Sequence, residues 1–171
     1  MSDLDKRISD ALEKGAKYLV MGEIAAHTGL LVSPAPLDDT DYDIIVNNID
    51  LSKGCMIEVL HSRDEFNGYI RGSDFDFLIF VYAPSIIENG LIKPKYGRET
   101  DEQSGTDKKR GFYVFPKDII QSTIEENSGT CFDPKALKIN GVTDNEKYKD
   151  YRNAFHLISD LVPNSPAGFT P

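Results

Sequence analysis

The sequence predicts an α/β fold, with a mixed central sheet and helices on its faces. Apolar residues recur at helical spacing near both ends of the chain, and short runs rich in β-branched and aromatic residues lie between them. At 171 residues the chain has the size of one domain with a sizeable core. We therefore expect a single domain over residues 1–162, followed by a Pro-containing, disordered tail at 163–171.

A helix is predicted over residues 3–28, because Leu4, Ile8 and Leu12 share one face of it. Gly29 supplies a stop, whereas Gly15 either divides the helix or is tolerated. Glu23 falls on the apolar stripe of the second half. A carboxylate buried there needs a metal, a cation or a hydrogen-bond partner. The alternative is that the edge of the stripe is solvated and Glu23 pairs with a Lys or Arg.

Five strands are predicted from the apolar runs that follow, with shorter ones near 69–70 and 137–139. The last two of the five are expected to pair around a long loop or insertion at 85–110. Helices are predicted from residue 116 and over 144–161. We expect the N-terminal helix on one side of the sheet and the C-terminal helices on the other. The five strand ranges are 30–33, 42–46, 55–61, 75–82 and 111–115.

Composition narrows the possible functions. The net charge of −9 argues against a strong nonspecific nucleic-acid binder, although a local basic patch could still bind DNA. Cys55 and Cys131 lack metal-ligand spacing. The acidic N-terminus has no apolar signal region, and no apolar run reaches the length of a membrane span. We expect a cytoplasmic protein with no membrane contact.

Two carboxylates on neighbouring predicted strands form a candidate metal site. Asp43 opens one strand and Glu58 lies in the next, and the Val59 carbonyl is beside Glu58. Oxygen ligands of this kind hold Mg²⁺, which can activate water and clamp a phosphate. Strand alternation places position 60 on the same face as Glu58, and that position holds Leu60.

The order of these elements resembles the PD-(D/E)XK nuclease superfamily, in the branch of group I intron-associated endonucleases and small resolvase-like proteins. The resemblance covers about residues 15–120, with a weaker likeness in the closing aromatic helix. It implies a restriction-endonuclease-like fold and metal-dependent cleavage of DNA. The runs that carry it are GEIAAHTGLLVSPAPLDDTDYDIIV (22–46), CMIEVLHS (55–62), FDFLIFVYAP (75–84) and GFYVFPKDI (111–119).

The resemblance also implies roles for individual residues. Asp43, Glu58 and the Val59 carbonyl would bind Mg²⁺ or Mn²⁺, and Glu23 would assist catalysis. The motif lysine is replaced by Leu60, which cannot stabilise developing charge. Some members of this superfamily supply the lysine from another element, and the candidates here are Lys17, Lys53 and Arg63, among which the sequence does not choose.

Other polar clusters have simpler interpretations. Asp38, Asp39 and Asp41 read as a solvated acidic turn, and Asp74 and Asp76 as turn or edge residues. The basic run at 108–110 reads as a solvated loop that could touch phosphate. The three histidines share no metal-binding spacing.

Two main functions follow from these patterns. The first is a metal-dependent DNA endonuclease or resolvase with a degenerate site, acting on DNA, with a homodimer as an open expectation. The alternative is a catalytically inactive nuclease fold that binds protein or DNA. A third reading is an unrelated α/β protein in which the carboxylates never converge.

Overall fold

The computed structural model describes residues 3–36, 42–62, 69–70, 74–82, 85–88, 91–94, 111–127, 137–138 and 146–164. Helix α1 spans Asp3–Thr28, as predicted, and runs through Gly15 without a break. It ends where Gly29 takes a φ of 68°, a left-handed conformation that glycine adopts without steric cost. The Gly29 N–H still donates to the Ala25 carbonyl at 3.0 Å, which closes the last turn.

A five-stranded mixed sheet forms the centre of the fold. Its strands are β1 Leu31–Pro34, β2 Ile44–Asn47, β3 Gly54–Ser62, β5 Phe77–Tyr82 and β8 Gly111–Pro116. They lie in the order β1-β2-β3-β5-β8, and neighbouring strands are antiparallel except for β3 and β5, which are parallel. The predicted α/β class and the predicted pairing of the fourth and fifth main strands are confirmed.

Two small two-stranded sheets accompany the main one. The predicted short strands are present as β4, Tyr69–Ile70, and β9, Leu137–Lys138, which pair antiparallel. The first part of the predicted 85–110 loop is instead a hairpin of β6, Ser85–Glu88, and β7, Leu91–Pro94. The charged stretch 95–110, including the basic run, lies outside the described residues.

Each face of the main sheet carries its own apolar cluster. The first cluster joins α1, through Ala16, Val20 and Ile24, to sheet residues that include Ile57 and Val59. The second lies on the opposite face, where Leu78, Phe80 and Phe115 pack with Ile120 and Tyr148. Leu60 packs against this second cluster, so the side chains of β3 alternate between the two faces as a strand requires.

The C-terminal region is divided between the two faces, which corrects two predictions. Helix α2, Lys117–Asn127, and a 3₁₀ helix, Glu146–Tyr151, cover the second face. Helix α3, His156–Leu161, packs beside α1 on the first face. The predicted arrangement of all C-terminal helices on one side is therefore wrong.

The predicted continuous helix over 144–161 is also wrong, because the chain turns at Asn153, which has a φ of 54°. The Asn153 N–H donates to the Phe112 carbonyl at 2.6 Å, and its side-chain oxygen accepts from the Phe112 N–H at 3.3 Å. These bonds satisfy the outer edge of β8, and Asn is one of the few residues that tolerate a left-handed conformation. Pairing with the strand edge therefore interrupts the predicted helix at residues 152–155.

No helix in the described part of the chain is long and apolar enough to cross a lipid bilayer.

Candidate functional site

Asp43 lies directly before β2 and is fastened to β3 by two hydrogen bonds. Its backbone N–H donates to the Ile57 carbonyl, and its Oδ2 accepts from the Val59 N–H, both at 2.8 Å. Only 14% of the side chain is exposed. The carboxylate therefore has a fixed position at the point where β2 and β3 begin to pair.

Lys17 brings a cation to this carboxylate from α1. Its Nζ lies 2.6 Å from the Asp43 Oδ1 and 3.4 Å from the Glu13 Oε1, one helical turn earlier. Burial alone lowers the pKa of Lys17, but the hydrogen bond to Asp43 and the charges of Asp43 and Glu13 outweigh burial and raise it. Lys17 is therefore an ammonium ion at any physiological pH.

Glu58 is the second carboxyl group of the site. It lies in the middle of β3, half-buried, and is a hydrogen-bond neighbour of Asp43. Burial, followed by repulsion from the Asp43 carboxylate, raises the pKa of Glu58 from about 4.5 to about 8, although Lys17 opposes this rise. The sequence predicted that Asp43 and Glu58 lie on neighbouring strands, and in the structure their carboxyl groups are within hydrogen-bonding reach of each other. The hypothesis that these carboxylates do not come together in the folded protein is therefore wrong for Asp43 and Glu58.

The charges of the three groups do not balance. When Asp43 and Glu58 are both ionised, two carboxylates share one ammonium, and the carboxylate of Glu13 adds further negative potential at Glu58. One more positive charge is needed, which a proton on Glu58 or a cation can supply. Two carboxyl groups with oxygen donors only are ligands of the type that Mg²⁺ and Mn²⁺ bind.

The Val59 main chain also faces this site. Its N–H points to Asp43, and the N–H and C=O of one strand residue point to the same side in the sheet. The register of β2 starts at Ile44, opposite Ile57, so Val59 lies beyond the paired part of β2. The predicted carbonyl ligand is thus on the correct side of β3, and its metal-binding role stays a prediction.

The Glu23 carboxylate lies apart from those of Asp43 and Glu58. It lies six residues after Lys17, which is about 9 Å along the helix axis. Its Oε2 is 3.4 Å from the His27 Nε2, and the His27 ring stacks on Phe155. The buried stripe of α1 passes through Ala16, Val20 and Ile24, so Glu23 lies at its edge. Within the described ranges, no three His, Cys, Asp or Glu side chains form a metal-holding group.

Lys17 and Glu13 complete the site, and neither was selected from the sequence. Lys17 was one of three candidate cations, whereas Glu13 was not considered. The available signal was their spacing of four residues, which puts them on one face of the helix. Lys53 is exposed in the β2–β3 turn, and Arg63 lies outside the described residues.

Two further predicted polar residues, Asp74 and Asp76, lie before β5. The Asp76 carboxylate accepts the Met56 N–H of β3, and Asp74 is exposed. The acidic turn at 38, 39 and 41 lies outside the described part of the chain. Leu60 is half-buried in the apolar packing of the second face, so no cation of β3 itself stands beside Glu58 at that position.

Comparison with known proteins gave a likeness of shape only. No family model matches the sequence, and no curated protein matches it. Among solved structures, a bacterial homing endonuclease, I-Ssp6803I, is similar, with 20% sequence identity and a TM-score of 0.48. The match covers 86% of this chain and 88% of that one.

Proposed function

We propose that this protein is a PD-(D/E)XK-like, metal-dependent DNA endonuclease or resolvase whose site is formed by Asp43 and Glu58. The observation that carries the proposal is the meeting of two carboxyl groups, one from Asp43 directly before β2 and one from Glu58 in the middle of β3, with Lys17 beside them. Two acidic groups held together at the cost of mutual repulsion are a common feature of functional sites. Here Asp43 is fixed by β3 backbone and cannot turn away.

Each group has a defined part in hydrolysis of a phosphodiester. The oxygen of a water molecule bonds to phosphorus, the bond from phosphorus to the leaving sugar oxygen breaks, and that oxygen takes up a proton. Asp43, Glu58 and the Val59 carbonyl would hold the metal ion, which when bound polarises the phosphate and lowers the pKa of water. Glu23 would assist from the edge of the site through ordered water.

DNA is the proposed substrate because the order of sequence elements resembles that of DNA nucleases. The chain carries a net charge of −9, so tight nonspecific binding to phosphate is not expected. Recognition of a DNA sequence or shape would instead rely on local contacts. Cutting both strands would require two sites, for which a homodimer is the simplest arrangement.

The test is cleavage of double-stranded and branched DNA with Mg²⁺ or Mn²⁺. We expect cleavage by the parent protein, and at least a hundredfold loss in Asp43→Ala, because one metal ligand and the fixed charge are removed. Asp74→Ala is the matched control, since Asp74 is exposed and lies three residues before β5. Absence of metal-dependent cleavage, or equal cleavage by Asp43→Ala, would reject the mechanism.

A second function is a nuclease fold that has lost catalysis and binds protein or DNA. Two observations favour it: Asp43 already has a cation and a backbone donor, and Leu60 packs into apolar surroundings. In that case the arrangement of Asp43, Glu58 and Lys17 would be stable without a bound metal ion. Calorimetry separates the two, because Mn²⁺ binding that is lost in Asp43→Ala supports the enzyme, whereas no heat of binding supports the binding module.

A further inference from the structure

We infer that Lys17 of α1 is the catalytic-site cation of this protein, supplied from the helix in place of the strand position held by Leu60. The inference rests on the proposed function for its role in hydrolysis. The contact between Lys17 Nζ and Asp43 Oδ1, at 2.6 Å, carries it.

The path of the side chain is unusual, because Lys17 starts from the other side of the sheet. Helix α1 packs on the face of Ile57 and Val59, whereas Glu58 alternates to the face where Leu60 packs. The Lys17 stem reaches the point where β2 begins, and there its ammonium meets Asp43. A long, flexible stem allows the apolar part to pack while the charged end extends.

A lysine at position 60 would be poorly accommodated in this protein. Leu60 is in register with Phe80 of the parallel neighbour β5 and packs against the aromatic cluster of the second face. An ammonium there would lose hydration beside apolar rings, which is costly without a paired anion. Position 17 avoids this cost because about a third of its side chain is exposed, 31%.

Glu13 gives the ammonium a second acceptor. It lies 3.4 Å from Lys17 Nζ and is 60% exposed. When a divalent cation binds Asp43 and Glu58, Lys17 would be released from Asp43 and held near the site by Glu13. Its charge would then face the phosphate of the substrate. Lys17 therefore competes with the metal ion before substrate binds and assists it afterwards.

The first experiment needs neither metal nor DNA. The ionisation of Glu58 is followed by carboxyl ¹³C NMR in the metal-free parent, in Lys17→Met and in Lys14→Met. Lys14 is an exposed lysine of the same helix and serves as the control. Removal of the Lys17 charge should raise the pKa of Glu58 further, whereas Lys14→Met and Lys17→Arg should leave it close to the parent value. If the pKa of Glu58 were the same in Lys17→Met as in the parent, the inference would be overturned.

The second experiment measures Mn²⁺ affinity and DNA cleavage in the same variants. Lys17→Met should bind Mn²⁺ about tenfold more tightly, because the competing charge is gone, yet cleave DNA about a hundredfold more slowly. Lys17→Arg should recover part of the cleavage. A residue that only held Asp43 in place would lower both quantities, and that result would overturn the inference. If the parent neither binds Mn²⁺ nor cleaves DNA, the proposed function fails. If the parent binds Mn²⁺ and cleaves DNA but Lys17→Met cleaves at the parent rate, the proposed function stands and the role of Lys17 is overturned.

Discussion

Asp43 and Asp76 lie on opposite sides of β3 and are attached to it in similar ways. Each comes directly before a strand that pairs with β3, and the first residues of those strands, Ile44 and Phe77, are both in register with Ile57. Each aspartate donates its backbone N–H to a β3 carbonyl at 2.8 Å, and each carboxylate accepts a β3 N–H at 2.8 Å. An aspartate before a strand thus serves to anchor β3 on both sides.

The two aspartates differ in what surrounds the rest of the carboxylate. Both hydrogen bonds between Asp76 and β3 are made with Met56: the Asp76 N–H donates to the Met56 carbonyl, and the Asp76 carboxylate accepts the Met56 N–H. The Asp76 carbonyl also accepts the Lys117 N–H at 3.0 Å, which connects this part of the sheet to the start of α2. Asp43 has the Lys17 ammonium at its other oxygen and Glu58 as a neighbour. The backbone anchoring is shared, so it is the added cation and second carboxyl group that make one of the two a candidate site.

The largest expected effect on cleavage comes from the same Asp→Asn substitution made at Asp43, in the candidate site, and at Asp76, which only anchors β3. Asp43→Asn should lower metal-dependent cleavage by about a hundredfold or more while the protein remains folded, because the amide oxygen can still accept the Val59 N–H. Asp76→Asn should leave cleavage per folded molecule near the parent value. Rates with matched DNA and thermal unfolding of both variants check this, and equal loss of cleavage in the two would contradict the distinction.

A relocation of the lysine gives the next largest effect. In Lys17→Met/Leu60→Lys the ammonium returns to β3, two residues from Glu58 on the same face, a distance of about 7 Å between Cα atoms. Cleavage should rise about tenfold over Lys17→Met alone, with a stability cost of roughly 1–3 kcal/mol from the charge among apolar neighbours.

The control for the relocation is Leu60→Met in the Lys17→Met background, which replaces the branched leucine by an unbranched apolar side chain that resembles the lysine stem without its charge. It should not recover cleavage. Recovery in this control would show that packing at position 60, and not the charge, limits the reaction.

A pH dependence follows from the raised pKa of Glu58. The unfolded chain titrates this group near 4.5 and the folded protein near 8, so the folded protein binds the proton more tightly between these values. The stability contributed by protonated Glu58 is therefore complete below pH 4.5 and is lost as pH rises through 8. Glu13, Lys17 and Asp43 are the charged groups that act on it.

Glu58→Gln measures this contribution directly. Chemical unfolding should show the parent losing roughly 1–3 kcal/mol relative to Glu58→Gln between pH 5 and 9, after allowance for screening at this half-buried position. Mn²⁺ at pH 8 should restore stability to the parent but not to the variant. Parallel pH profiles of the two proteins would contradict a raised Glu58 pKa.

The smallest effect is expected at Glu23. Its carboxylate lies beside His27, which is 55% exposed, and Glu23 lies away from the Asp43–Glu58 pair along α1. Glu23→Gln should lower cleavage by no more than about tenfold, as for a group acting through an outer contact. A loss as large as that of Asp43→Asn would place Glu23 in the metal site itself.

The sequence predicted much of the fold because its signals are local. The bounds of α1 were predicted correctly, since Gly29 and the spacing of apolar residues act within the helix. The break at Asn153 was missed because it depends on bonds to Phe112, which is 41 residues away. The Ser85–Pro94 hairpin was missed although apolar pairs at 86–87 and 91–92 flank an Asn-Gly dipeptide, which is a strong hairpin signal, because the polar composition of 97–110 was extended to the whole 85–110 stretch.

For the site, the sequence by itself determined the chemistry of two positions and the absence of a lysine at a third. Asp43, Glu58 and Leu60 follow from strand alternation and the order of elements. Only the tertiary structure decided which cation joins them, because Lys17 and Asp43 are 26 residues apart and meet only when α1 packs on the sheet. It also showed that Asp43 and Asp76 anchor β3 in the same way, and that of these two aspartates Asp43 has the Lys17 ammonium and a second carboxyl group beside it. Side-chain identity is read residue by residue, whereas the electrostatic environment of a carboxylate depends on contacts made across the folded chain.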